Sequence, residues 1–172
     1  MSDNDHRRPK RRAEGRSRSA SRLAVVQALY QMELTDQDSE TALQEFIDHR
    51  LGRDIDGDQY PEADEKYFAD LVRGVVEQQD EIDRSLARYL LKGWPFDRID
   101  PTMRAILRAA AFEIIARSAV PARVIVHEYL NVATAFFDEG EVTAFMSGVI
   151  NRMARERRPE EHGPASDPAS DQ

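Results

Sequence analysis

Glu141-Val142-Thr143-Ala144-Phe145-Met146-Ser147-Gly148-Val149-Ile150-Asn151-Arg152-Met153 is the most regular stretch of the sequence. Its apolar residues Val142, Phe145, Met146, Val149, Ile150 and Met153 fall at i, i+3, i+4, i+7, i+8 and i+11. That period lines one side of an α-helix and fits no strand, which would alternate every second residue. Packing is the simplest role for this stripe. Gly148 lies in the middle of this helix, where glycine costs up to about 1 kcal/mol against alanine. A close helix crossing or a flat partner contact would account for it. The opposite face carries Thr143, Ala144, Ser147, Asn151, Arg152 and Arg155, equally suited to water or to a nucleotide surface.

Working outward, the same period recurs. Pro121 opens a helix with Val126, Tyr129, Leu130, Ala133 and Phe137 in step. Asp100-Pro101 is a start signal, because aspartate caps free amides and proline at the first helical position loses no hydrogen bond. Met103, Ile106, Leu107, Ala110 and Ile114 continue from it. Nearer the N-terminus, Leu23, Val26, Tyr30 and Leu34 form a stripe that Val25, Leu29 and Met32 widen. Three more helices are expected around Leu43–Ile47, Phe68–Val76 and Ile82–Leu90, the last ending near Gly93 with Trp94-Pro95 as a connector. No segment alternates long enough for a strand. About seven helices with short links predict an all-α bundle.

The ends differ from this middle. Residues 1–17 lack apolar periodicity and are expected to be a disordered basic arm. Residues 157–172 are expected to be a disordered tail, which leaves 18–156 as the folded domain. Of 172 residues, 24 are basic and 32 acidic, a net charge of −8. Residues 1–22 alone carry a net +5, so the rest carries −13. A basic arm on an acidic body suggests a nucleic-acid contact, because lysine and arginine release counterions when they meet phosphates. Ser17, Ser19 or Ser21 is a candidate cap for the first helix. Should that helix begin earlier, Arg18 and Arg22 share a face at i, i+4.

Little here suggests catalysis. With no cysteine there is no thiol chemistry, thiolate metal site or disulfide. No phosphate-binding or nucleophile-elbow motif occurs. His127-Glu128 has no second histidine at i+4 and reads as an ordinary helix face. Asp54, Asp56 and Asp58 faintly resemble a calcium loop, but the glycine is displaced and no glutamate closes the frame. No metal or cofactor is expected. No apolar run approaches membrane-spanning length, and no apolar segment of a secretory signal follows the basic start. A cytoplasmic protein without enzymatic activity or membrane contact is expected.

Three strings together resemble one family: Arg22-Leu23-Ala24-Val25-Val26-Gln27-Ala28-Leu29-Tyr30, Met103 through Ile114, and Val120-Pro121 through Phe145-Met146-Ser147-Gly148-Val149-Ile150-Asn151. The chain resembles the NusB family of bacterial transcription antitermination factors over roughly Arg16 to Ala154. The resemblance implies two packed three-helix bundles plus an extra helix. It also implies binding, with the small-subunit ribosomal protein NusE, to boxA-type RNA of nascent ribosomal RNA transcripts in the RNA polymerase antitermination complex. RNA-contacting positions carry over to Arg16, Arg18 and Arg22 in the arm, to Tyr30, to Phe145 and to Glu141. Ser147 replaces the family's asparagine and Ala144 a frequent lysine, which shifts the expected RNA affinity toward the arm. The acidic body is expected to repel RNA from other faces and attract a basic protein. Two other readings remain: a homodimeric interaction module, and a stand-alone relative of the RNA-binding domain of ribosomal RNA cytosine methyltransferases.

Overall fold

The computed structural model describes residues 7–51, 63–90 and 95–162. Seven α-helices occur among them: α1 (Arg7–Thr35), α2 (Ser39–His49), α3 (Glu65–Glu77), α4 (Gln79–Ala87), α5 (Pro101–Ala116), α6 (Ala122–Phe136) and α7 (Glu141–Arg157). Short 3-10 turns cover Phe96–Arg98 and Pro159–Glu161. No strand occurs among the described residues. The aspartate triplet of the calcium-like loop, Gly93 and Trp94 lie outside the described residues.

The expected start signals act as read. Asp100 accepts hydrogen bonds from the amides of Thr102 (2.8 Å) and Met103 (3.3 Å), with Pro101 in the first turn. Asp38 and Asp64 cap α2 and α3 in the same way. Pro121 precedes α6 and Gly140 precedes α7.

Helix α5 organises the molecule. Its sequence is rich in alanine, and eleven of its sixteen residues are buried, so it has no solvent face to speak of. Helices α1, α3, α4, α6 and α7 surround it, and its charged residues Arg104, Arg108 and Glu113 are paired with acids or an arginine of α1 and α4. Helices α1, α2 and α3 pack on one another, as do α5, α6 and α7, while α4 lies against α5. These are the two expected three-helix groups and the extra helix. At the α3–α5 contact the Phe112 ring lies directly on Gly74, where a Cβ would come within 2.0 Å of its Cζ. Phe46 stacks on Phe68 at 5.7 Å and joins α2 to α3.

Both expected boundaries move. The boundary at residues 17 and 18 falls inside α1, which runs unbroken from Arg7. Arginine, lysine, alanine and glutamate are good helix formers, and extending a helix already held by the core needs no new nucleus. Residues 1–6 lie outside the described residues. At the other end Arg157 closes α7 and Arg158 is buried, so the fold continues past 156. Arg158 donates to the main-chain oxygens of Glu113 (2.9 Å), Ile114 (2.9 Å) and Arg117 (2.8 Å), and also to that of Val120. These carbonyls lie at and just beyond the end of α5, where the helix offers them few donors of its own. Residues 163–172 lie outside the described residues. Among the described residues no helix is long and apolar enough to cross a membrane.

Candidate nucleic-acid interface

The first turns of α1 expose Lys10, Arg11, Arg12, Arg16 and Arg18. Because the helix begins before them, Ser19 and Ser21 are interior residues of α1 and not caps. The Ser19 hydroxyl reaches Glu128 of α6 at 2.7 Å, and that of Ser21 reaches the Asp64 carbonyl at 2.8 Å. Both tie α1 to its neighbours. Arg18 is exposed, yet its guanidinium lies 4.9 Å from the centre of the Tyr67 ring. Arg22 and Arg117 approach the same ring at 5.3 and 5.2 Å. Arg18 and Arg22 thus share a face, as their spacing implies.

Arg22 itself departs from expectation. It is 2% exposed and belongs to the core. Its Nε donates to Glu113 Oε2 at 2.8 Å, and its Nη2 donates to Glu113 Oε1 at 3.1 Å and to the Tyr67 hydroxyl at 3.0 Å. The hydroxyls of Tyr67 and Tyr129 donate to the same carboxylate. A fully buried carboxylate needs a cation and filled acceptor sites, and this cluster supplies both. No buried side-chain nitrogen or oxygen lacks a partner among the described residues. Burial works against the Arg22 charge, but the hydrogen-bonded Glu113 outweighs it and holds the guanidinium above its ordinary value. Burial and the Glu113 charge push the Tyr67 hydroxyl up to about 12. The same causes raise Tyr129 well above its ordinary value. The assignment of Arg22 to an RNA surface is therefore corrected: its charge is spent inside, on a residue 91 positions away.

Tyr30 lies twelve residues past Arg18, about 18 Å along the helix at 1.5 Å per residue. Here the α1 stripe leaves the core. Tyr30 is 37% exposed and Leu34 is 58% exposed, so neither is the packing residue that the periodicity suggested. With Phe136, itself 41% exposed, they border a groove of about 470 Å³ that Val26, Gln27 and Arg50 also line. Phe136 ends α6, and the chain turns through residues 137–140 into α7, where Glu141 is exposed at the first position. Phe145, one turn on, is half-buried against the core. The structure thus divides the expected site: Arg16 and Arg18 stand in the N-terminal half of α1, and Tyr30 stands near its C-terminal end, beside the end of α6. Sequence reading missed Phe136 because it placed Phe137 on the packed face. Helix α6 ends at Phe136 and Phe137 is in extended backbone, so helical spacing no longer fixes which of the two rings packs.

Gly148 has nothing within 4 Å of a Cβ position, so no close helix crossing explains it. His127 is exposed on α6 beside Asn131 at 3.2 Å, as an ordinary helix face would be.

Comparison with known proteins adds kinship. The chain is 47% identical over 141 residues to the transcription antitermination protein NusB of Caulobacter vibrioides, covering 82% of this chain and 94% of that one. It is 44% identical over 153 residues to the protein of the same name from Rhodopseudomonas palustris, covering 89% and 90%. A crystal form of T. maritima NusB superposes with a TM-score of 0.68 at 29% identity, over 84% of this chain and 95% of that one. A crystal structure of antitermination factors NusB and NusE in complex with dsRNA shares the fold at 22% identity and a TM-score of 0.68, over 82% and 98%. The NusB family model matches residues 19–155, and the chain belongs to the NusB family.

Proposed function

We propose that this protein is a transcription antitermination factor that binds boxA-type RNA of nascent ribosomal RNA transcripts together with NusE. It works by binding, without catalysis, in the cytoplasm and as part of the RNA polymerase antitermination complex. The observation that carries the reading is the layout of α1 in a chain of this family: exposed arginines on its first turns, then an aromatic groove where it passes the end of α6. Arg16 and Arg18 supply salt-dependent attraction to phosphates. Tyr30, with Phe145 and Glu141 at the start of α7, supplies the part that meets bases. Arg22 serves by holding α1 against α3 and α5.

The test is a titration of boxA-type and scrambled RNA, with and without NusE, over a salt series. Tight binding of the boxA-type RNA that strengthens with NusE is expected. Failure of both RNAs to bind tightly even with NusE overturns the reading. Changing Arg16 and Arg18 together to alanine should lower the slope of log K against log salt by about 1.4, at roughly 0.7 per phosphate on a single strand.

A further inference from the structure

A cleft of about 230 Å³ opens where the first turns of α1 pass the α5–α6 turn. Arg11 and Arg18 stand on one side, and Val120, Pro121 and Val124 form the other. Val124 is one of few large apolar side chains left at the surface among the described residues, 36% exposed on the first turn of α6. We propose that this cleft is a subsite for one nucleotide of single-stranded RNA, its phosphate on Arg11 and Arg18 and its sugar and base against Val120, Pro121 and Val124. The proposal rests on the RNA-binding reading and extends it about 18 Å along α1 from the Tyr30 groove.

Two features support this occupant. Arginine matches phosphate with a planar fork of donors, and here the Arg18 guanidinium is already held on the Tyr67 ring at 4.9 Å. A side chain placed in advance loses less rotamer freedom on binding. Of the two acids of the cleft, Glu128 is already engaged by neighbours. Glu128 accepts from Ser19 at 2.7 Å and lies 3.7 Å from Arg22 Nη1. Glu14 is exposed on the rim and would face a bound phosphate with like charge. Its repulsion provides a second, independent probe.

The experiment uses the full chain with NusE and fluorescein-labelled boxA-type RNA, and compares Val124→Glu with Val76→Glu. Val76, on α3, is also 36% exposed, so both variants add one charge at equal exposure. Val124→Glu should weaken binding about tenfold or more and Val76→Glu about twofold or less, because only a charge against the phosphate is strongly felt. Glu14→Gln should tighten binding, and it keeps the test open if circular dichroism shows Val124→Glu to be unfolded. Equal effects of Val124→Glu and Val76→Glu, or no gain from Glu14→Gln, overturn the subsite. If Arg18→Ala still weakens binding in that case, the RNA reading stands and only the cleft is lost. If Arg18→Ala changes nothing, the fault lies with the placement of RNA on α1.

Discussion

Arg22 offers a sharp separation of folding from binding. Replacing it by methionine keeps apolar bulk but strands the Glu113 carboxylate, which is 0% exposed. Two hydrogen bonds to the carboxylate and one to Tyr67 disappear with it. Breaking one side of a buried ion pair costs about 3–5 kcal/mol, a large part of the roughly 5–15 kcal/mol that holds a domain together. Glu113→Gln, which keeps an acceptor for one of the two tyrosines and turns an NH2 toward the other, should cost at least as much by stranding Arg22 as well. The double variant leaves neither charge unpaired, so its loss should fall well short of the sum of the singles. Urea unfolding followed by circular dichroism at constant m-value measures all three. Single losses under about 1 kcal/mol, or strict additivity, would refute the account of the cluster. The same Arg22→Met protein, assayed at a temperature where it remains folded, should bind RNA with an unchanged salt slope. A fallen slope would return Arg22 to the RNA surface.

Three further outcomes follow from the packing. Gly74→Ala should destabilise the fold by about 1–3 kcal/mol through overpacking, because the new Cβ lies 2.0 Å from Phe112 Cζ; adding Phe112→Leu should recover part of the loss in thermal melts. Gly148→Ala meets nothing within 4 Å and should raise stability by about 0.5–1 kcal/mol; weaker binding of RNA or NusE by this stabler variant would mark the α7 face as a contact. The buried tyrosines make stability sensitive to alkali. Their folded pKa values lie above the unfolded value of 10.0, so the folded state holds protons that the unfolded state releases. Stability is full below pH 10 and falls as pH rises toward about 12. Tyr67→Phe should flatten this fall, and in the native protein absorbance near 295 nm should show tyrosines that resist ionisation until it unfolds.

Local signals read well from sequence. The Asp100-Pro101 start, Pro121 and Gly140 each mark a real helix boundary, because capping depends on neighbours within one turn. The wide burial of α1 was legible in Val25 and Leu29 beside its main stripe, whereas the enclosed position of α5 was not read. The unread parts are non-local. Arg22 looked like the last member of a basic arm, and only its partner 91 residues away makes it a core residue. Glu113, the one acid of α5, was the available clue, since a carboxylate among so many apolar residues demands a buried cation. Tyr30 and Leu34 kept the helical period, but periodicity says which residues share a face and not where that face runs out of neighbours. For the same reason Arg16, Arg18 and Tyr30 read as one site, although the helix sets Arg18 and Tyr30 about 18 Å apart.

Arg158 has a consequence for the order in which the chain is made. Domains tend to fold as they emerge during synthesis, N-terminal parts first. Here the helix around which the others assemble has the carbonyls at its end closed by a guanidinium 44 residues beyond Ile114. A nascent chain that has extruded α1 to α6 still holds an unfinished centre. Completion of that pairing waits for the turn after α7, because Arg158 alone carries it.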